Sequence, residues 1–359
     1  MKLFKCPSCG QLLYFENTRC ETCGHRLGYI PEPGILTALD PESGGERAEV
    51  WRSLADVGGL YRFCANADHD ACNWLIPEAY TDRLCVACRH NRTIPPIGQP
   101  AALASWRKIE GAKHRLFYAL LRLNLPTPAV GESDEPLVFD FLADPPTPDG
   151  PKVMTGHDNG LITIALAEAD DIERERRRAT MGEPYRTLLG HFRHEIGHFY
   201  WDKLVRDGGQ LAECRAVFGD DTADYEAALK AHYEKGVPAN WRADYISSYA
   251  TTHAWEDFAE TWAHYLHIVD SLEMARAFGM SVSPRADETG ALTVDADVDV
   301  YGVEDFAPLV NAWVPLSFAL NSINRCMGQS DLYPFIISPK VVEKLGFIHR
   351  LVHGRLTRK

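Results

Sequence analysis

The stretch EPYRTLLGHFRHEIGHFYWDKLV, residues 183–205, decides how this chain is read. Leu188, Leu189, Phe192, Ile196, Phe199, Tyr200 and Leu204 recur at helical spacing, which predicts one amphipathic helix. Pro184 suits its first turn, where a missing N–H costs nothing. His194-Glu195-Ile196-Gly197-His198 lies inside that helix. Side chains four residues apart share a helix face, so both imidazoles can reach one metal ion. Glu195 stands beside them, placed to hold a water on that ion. The competing reading is a chance match, and the apolar stripe running in phase with the histidines weighs against it.

A zinc ion that performs chemistry takes three protein ligands and keeps one position open for water. The third ligand has to come from another part of the chain. A second helix is predicted over 254–269, with Trp255, Phe258, Ala259, Trp262, Tyr265, Leu266 and Val269 as its stripe. It carries Glu256 and Glu260, one turn apart. Glu256 is the candidate ligand, and Glu260 the candidate acceptor for the other nitrogen of a ligand histidine, which fixes its tautomer. Two solvated glutamates are the alternative. The aromatic stripe argues against it, because carboxylates on a largely buried helix are costly without a task. His191, His157, His253, His264 and His267 could lie near the same site, but a surface or core role is the better expectation for each.

Ten cysteines are present, and eight of them precede residue 90. Cys6-x-x-Cys9 and Cys20-x-x-Cys23 are each followed by glycine, at Gly10 and Gly24, which permits the tight turn of a zinc knuckle. The second group is Cys64, Cys72, Cys85 and Cys88, with a regular knuckle at 85–88 and a looser pair at 64 and 72. His69 and His90 could substitute in it. Close pairs in this number read as two structural zinc sites rather than disulfides or redox dithiols. Cys214 and Cys326 read as inert thiols.

Pro31-Glu32-Pro33-Gly34 marks a break after the first cysteine group, and Pro95-Pro96 closes the second. The expected segments are therefore 1–30, 31–98 and 99–359. The last opens with a helix over 102–123. Strands follow at 137–142 and 161–166, the second preceded by the turn signal Asp158-Asn159-Gly160. Further helices are expected near 221–234, 304–327 and 339–352, with an exposed loop or hairpin at 284–300. The net charge of −13 argues against nucleic acid as a partner. Arg83, Arg89 and Arg92 are scattered among Asp68, Asp70 and Asp82 rather than clustered. The N-terminus has no apolar core of a signal peptide, and 309–323 is too interrupted to span a bilayer, so a cytoplasmic location is expected.

The helix pair resembles the gluzincin metallopeptidases, in which a His-Glu-x-x-His helix is followed by a glutamate helix. Its closest likeness is to the lethal-factor-like peptidases, where the glutamate opens a Glu-x-Phe-Ala-Glu run and a tyrosine seven residues earlier faces the metal. Here those positions are Glu256 to Glu260 and Tyr249. This likeness covers about 185–270. The whole chain, cysteine knuckles first, is similar to a bacterial zinc-binding metallopeptidase family with an N-terminal zinc ribbon. The resemblance implies an α+β fold: a mainly helical zincin-like core with a small antiparallel sheet, preceded by small zinc modules. It implies one catalytic and two structural zinc ions, and a peptide or protein substrate. Glu195 would serve as general base and Tyr249 as donor to the oxyanion, with Tyr245, or a plain packing role for either tyrosine, as the alternatives. The strand at 161–166 would be an edge strand that pairs with an extended substrate, with an ordinary core strand as the equal alternative. The zinc modules could recognise a protein partner. The alternative is a non-catalytic adaptor that uses the same fold as a scaffold.

Overall fold

The computed structural model describes residues 1–42, 49–55, 59–145, 152–181 and 185–356. Two compact units divide the chain at 175/176. Pro184 lies outside the described residues.

The first unit opens with a short hairpin, β1 (Phe4–Lys5) against β2 (Leu12–Leu13). Gly10 and Gly24 both take positive φ, and their amides close onto the carbonyls of Cys6 and Cys20 at 2.8 Å. A five-stranded antiparallel sheet follows: β3 (Arg26–Ile30), β4 (Ile35–Pro41), β5 (Trp51–Ser53), β6 (Leu60–Phe63) and β7 (Leu75–Pro77), in chain order. The Pro31–Gly34 stretch, expected as a break, is the turn that pairs β3 with β4, Ile30 opposite Ile35. The sheet therefore runs between the first cysteine group, which precedes β3, and the second, which flanks β6 and β7.

β8 (Asn91–Thr93), α1 (Pro100–Arg122) and β9 (Val138–Leu142) come next. β8 and β9 are parallel, with α1 as the crossover between them, the connection that parallel neighbours require. β10 (Gly156–Asp158) and β11 (Leu161–Ala165) form a hairpin turned by Asn159 and Gly160, both at positive φ. The sheet order is β10-β11-β9-β8. Two expectations are corrected here. The sheet is not simply antiparallel, because two of its three pairings are parallel. β11 is not an edge strand either, being paired antiparallel to β10 and parallel to β9. Strand content and a turn signal located β11, but neither carries information about what lies on its far side.

α2 (Asp171–Met181) crosses the division between the units. The second unit is helical: α3 (Leu188–Tyr200), α4 (Leu211–Phe218), α5 (Tyr225–Lys235), α6 (Ala254–Ala277), α7 (Ala307–Cys326) and α8 (Pro339–Val352). β12 (Ser281–Val282) and β13 (Val294–Asp295) form a small hairpin. The active stretch does not run as one helix over 183–205. Thr187 caps α3 by accepting the Gly190 amide at 2.9 Å, and 185–187 are not helical. At its other end α3 passes into a π-type turn over Trp201–Arg206.

α6 is the centre of this unit. α3, α4, α7 and α8 all pack on it, and its burial extends around most of its circumference. That includes charged groups: Asp257 meets Lys344 of α8 at 2.6 Å with both side chains buried, and Asp270 is ion-paired with Arg193 of α3. No helix among the described residues is long and apolar enough to cross a membrane.

Candidate metal centres

α3 packs closely against α6 at Gly197. A Cβ on Gly197 would stand 3.0 Å from Ala259 Cα and 3.2 Å from Trp262 Cβ, so any larger residue would push the helices apart. This approach sets Glu256 of α6 beside the two histidines of α3. His194 Nε2 and His198 Nε2 are 3.2 Å apart. Glu256 Oε2 lies 3.0 Å from the first and 3.4 Å from the second.

These three edges fit a metal ion. Zinc bonds of about 2.0–2.2 Å at tetrahedral angles separate two N or O ligands by about 3.3–3.6 Å. The lone pairs also point the right way. His194 Nδ1 donates to Glu260 Oε1 at 2.7 Å, so the proton is on Nδ1 and Nε2 faces the triangle as an acceptor. Three acceptors at this spacing repel one another unless a cation or a proton sits among them. Burial disfavours the charged state of His194, but Glu256 and Glu260 outweigh it and raise its pKa well above the usual value. Burial likewise works against the Glu256 carboxylate, and the two imidazoles hold it well below the ordinary range.

Glu195 is buried but is not among the three converging donors. Its carboxyl is pushed up to about 7, mainly by burial and further by the negative Glu256 and Glu260. Tyr249 lies with its ring 5.9 Å from that of His194.

Two neighbours carry no sequence signal that links them to the site. Tyr225, on α5, donates its hydroxyl to Glu256 Oε1 at 2.6 Å. The Trp255 ring lies 3.7 Å from that of His198 and covers it. Tyr225 could be placed on a helix from the sequence, but nothing in its spacing points to Glu256.

The remaining histidines have other partners. His253 caps α6 by accepting the Trp255 amide at 3.1 Å. His264 Nδ1 meets the Tyr333 hydroxyl at 2.9 Å, and His267 accepts from Arg193. His157, in the first unit, accepts the Gly160 amide at 3.0 Å. Tyr245 stacks beneath the Lys344 ammonium at 4.2 Å.

In the first unit Cys6, Cys9, Cys20 and Cys23 converge, with Cys6–Cys23 at 3.7 Å and Cys9–Cys20 at 3.5 Å between sulfurs. Four thiolates on zinc at about 2.3 Å stand about 3.8 Å apart, so the spacing fits. Cys64, Cys72, Cys85 and Cys88 also converge, with Cys72–Cys85 at 3.8 Å. Amides of Cys85 and Trp74 donate to the sulfurs of Cys64 and Cys72 at 3.4 and 3.3 Å, as in a knuckle. His90 is not among these donors; its Nδ1 donates to the Leu137 carbonyl at 2.8 Å. His114 of α1 does reach the group, with Nε2 3.3 Å from Cys72 Sγ and 3.5 Å from Cys88 Sγ. All ten cysteines are free thiols.

Residues 3–99 match the model of a zinc-ribbon domain family, and residues 102–351 that of a family described as "Putative zinc-binding metallo-peptidase". Uncharacterized proteins of Mycobacterium tuberculosis and Mycobacterium bovis are each 42% identical over 357 residues, 98% of this chain and 95% of the relative. No solved structure matches. With its second match covering most of the chain, around the two helices that bring His194, His198 and Glu256 together, this protein belongs to the zinc-binding metallopeptidase family, with a zinc-ribbon N-terminus.

Proposed function

We propose that this chain is a zinc-dependent peptidase of the gluzincin type, with His194, His198 and Glu256 as ligands and Glu195 as general base. The observation that carries the reading is the triangle of donor atoms with edges of 3.0, 3.2 and 3.4 Å, built from two helices that meet at Gly197. The pairing of α3 with the glutamate helix α6 supports a zincin-like core. A zinc ion held there would polarise a peptide carbonyl and acidify water. Glu195 sits beside the donors without being one of them, so it is available to take the proton of an attacking water and pass it to the departing amine. Glu260 keeps the His194 proton on Nδ1, and Tyr225 holds the Glu256 carboxylate in one orientation. Tyr249, whose ring lies 5.9 Å from that of His194, supplies a hydroxyl for the negative oxygen that develops on the substrate.

On this reading the chain holds three zinc ions, one at this centre and one at each cysteine cluster. Eight cysteines kept as thiols in close groups suit a reducing compartment, which supports a cytoplasmic location. The substrate is a peptide or protein.

The deciding experiment compares the wild type with Glu195→Gln. An amide there cannot accept a proton, and no ligand is removed. The variant should keep its full zinc content by native mass spectrometry and lose cleavage of every peptide in a broad library that the wild type cuts. Loss of a zinc ion would make Glu195 a ligand instead. Equal cleavage by both proteins would remove it as the base. A wild type that cuts nothing would leave the adaptor reading in front.

A further inference from the structure

We propose that the cleft between the two cysteine clusters binds an acidic peptide, with Arg26 as the residue that takes its carboxylate. The cleft encloses about 570 Å³, within the range of ligand-binding pockets, and its wall includes one cysteine of each cluster, Cys23 and Cys72. Successive strands of the five-stranded sheet contribute to it: Arg26 from β3, Asp40 from β4, Trp51 from β5 and Phe63 from β6.

Arg26 carries the argument. Its guanidinium carbon lies 3.9 Å from the centre of the Phe63 ring and 5.1 Å from that of Trp51. Trp51 belongs to the apolar core of the sheet, so the cation rests on a fixed surface. Yet no hydrogen bond or ion pair joins the guanidinium to any described residue. Aromatic contact answers its charge but not its N–H groups, which need acceptors. A carboxylate supplies two acceptors at the spacing of the guanidinium fork.

The surrounding charges leave room for an anion. Arg19 stands on the same wall, its NH1 donating to the Gly24 carbonyl at 2.8 Å. The two acids of the wall are already held: Asp70 pairs with Arg107 at 3.0 Å, and Asp40 lies 3.3 Å from His25 Nε2. Asp68, exposed and not part of the wall, attracts Arg26 through space without pairing with it. Nucleic acid is the poorer match. A phosphate backbone calls for a row of cations, and this wall has two arginines and no lysine in a chain of net charge −13. A peptide carboxylate calls for one guanidinium, and the half-buried Phe63 ring beside it offers apolar contact to the rest of the segment.

The cleft lies wholly within residues 3–99, the zinc-ribbon match. The ribbon then recognises a protein through side chains that its metal ions only hold in place.

The test is NMR of the full-length, zinc-loaded protein labelled with nitrogen-15 arginine. The Arg26 Nε–H resonance is assigned through its contacts with the Phe63 ring protons. The peptide acetyl-Glu-Glu-Glu-Glu amide should move it saturably, and acetyl-Gln-Gln-Gln-Gln amide should leave it in place. Arg26→Lys keeps the charge but lacks the fork, and should bind the glutamate peptide about tenfold more weakly, as read from the Trp51 indole N–H. Asp68→Asn, at an exposed position, removes a competing negative charge and should tighten binding about twofold. An Arg26 resonance that stays in place, or that moves equally with both peptides, would overturn the proposal. So would undiminished binding by Arg26→Lys. The wild-type titration decides this even if the Arg26 variant does not fold. Because the signal is read at Arg26, the outcome does not depend on whether the protein cuts peptides.

Discussion

Gly197→Ala is the most direct perturbation of the geometry that brings the His-Glu-x-x-His helix to its third donor. The added methyl would stand 3.0 Å from Ala259 Cα and 3.3 Å from Ala259 O, both backbone atoms that cannot rotate away. Carbon atoms in ordinary contact are about 3.5–4.0 Å apart, so α3 and α6 must separate by roughly half an ångström. Two effects on stability oppose each other. Alanine improves helix propensity by about 1 kcal/mol. Overpacking costs about 1–3 kcal/mol. The fold should therefore lose between nothing and about 2 kcal/mol, and survive. The metal site should suffer more, because its edges differ in origin. The His194–His198 edge of 3.2 Å lies within one helix and should not change. The two edges to Glu256, 3.0 and 3.4 Å, cross from α3 to α6 and must lengthen. Metal sites tolerate about 0.2 Å in their bond lengths, less than the required opening. Zinc affinity at this centre should fall by about ten- to a hundredfold, as it does when ligand positioning is disturbed, with the two cysteine clusters unaffected. The measurement is competition against a chromophoric chelator, which resolves the weakest site, alongside urea unfolding. A variant that binds zinc as tightly as the wild type and unfolds later would refute the reasoning, since it would mean that the helices do not depend on this approach.

Tyr225→Phe removes the hydroxyl that orients Glu256 at 2.6 Å, and should weaken zinc binding at this centre by up to about tenfold without emptying it; an unchanged affinity in the same chelator competition would show that the hydroxyl has no part in the site. Lys344→Met strands a fully buried carboxylate, because Asp257 loses its partner at 2.6 Å, and burial already pushes that carboxyl up to about 7 against the pull of Lys344. The expected cost is about 3–5 kcal/mol in urea unfolding, partly recovered by adding Asp257→Asn, and a cost below about 1 kcal/mol would show that the pair is not structural. His349 is buried, donates Nε2–H to the Val303 carbonyl and accepts from the Tyr265 hydroxyl, and its pKa is lowered to about 4, chiefly by burial and further by His353 and Arg355. The unfolded chain then binds a proton that the folded chain refuses, so stability present above about pH 6.5 should decline as pH falls towards 4. In His349→Gln this part of the pH dependence of the urea midpoint should disappear, and a wild type equally stable at pH 7 and pH 4.5 would exclude it.

What the sequence reveals of this molecule depends on how close together its signals lie. α6 was readable because Trp255, Phe258, Trp262 and Tyr265 repeat on a helical period within a dozen residues. The start of α3 was not, because Pro184 suggested a first turn upstream, whereas Thr187 caps the helix. The five-stranded sheet escaped altogether. Its strands are as short as Trp51–Ser53, and the cysteines nearby dominate the reading of the same residues. The pairing of β11 on both sides escaped for a different reason: a strand's own residues do not say what lies beside it.

The metal sites follow the same rule. Donors that come in pairs on a short stretch, such as His194 with His198 or Cys85 with Cys88, announce themselves through spacing alone. Glu256 was accessible because it shares a helix turn with Glu260 on an apolar stripe where an idle carboxylate is costly. Tyr225 arrives singly from a helix with no buried residues, so nothing in the sequence near it points to a metal site. Geometry supplies what spacing cannot. At Tyr225 the information is carried by one hydroxyl, which donates to Glu256 Oε1 at 2.6 Å. A contact of this kind becomes visible only when the chain is folded, because the hydroxyl and the carboxylate it orients come from different helices.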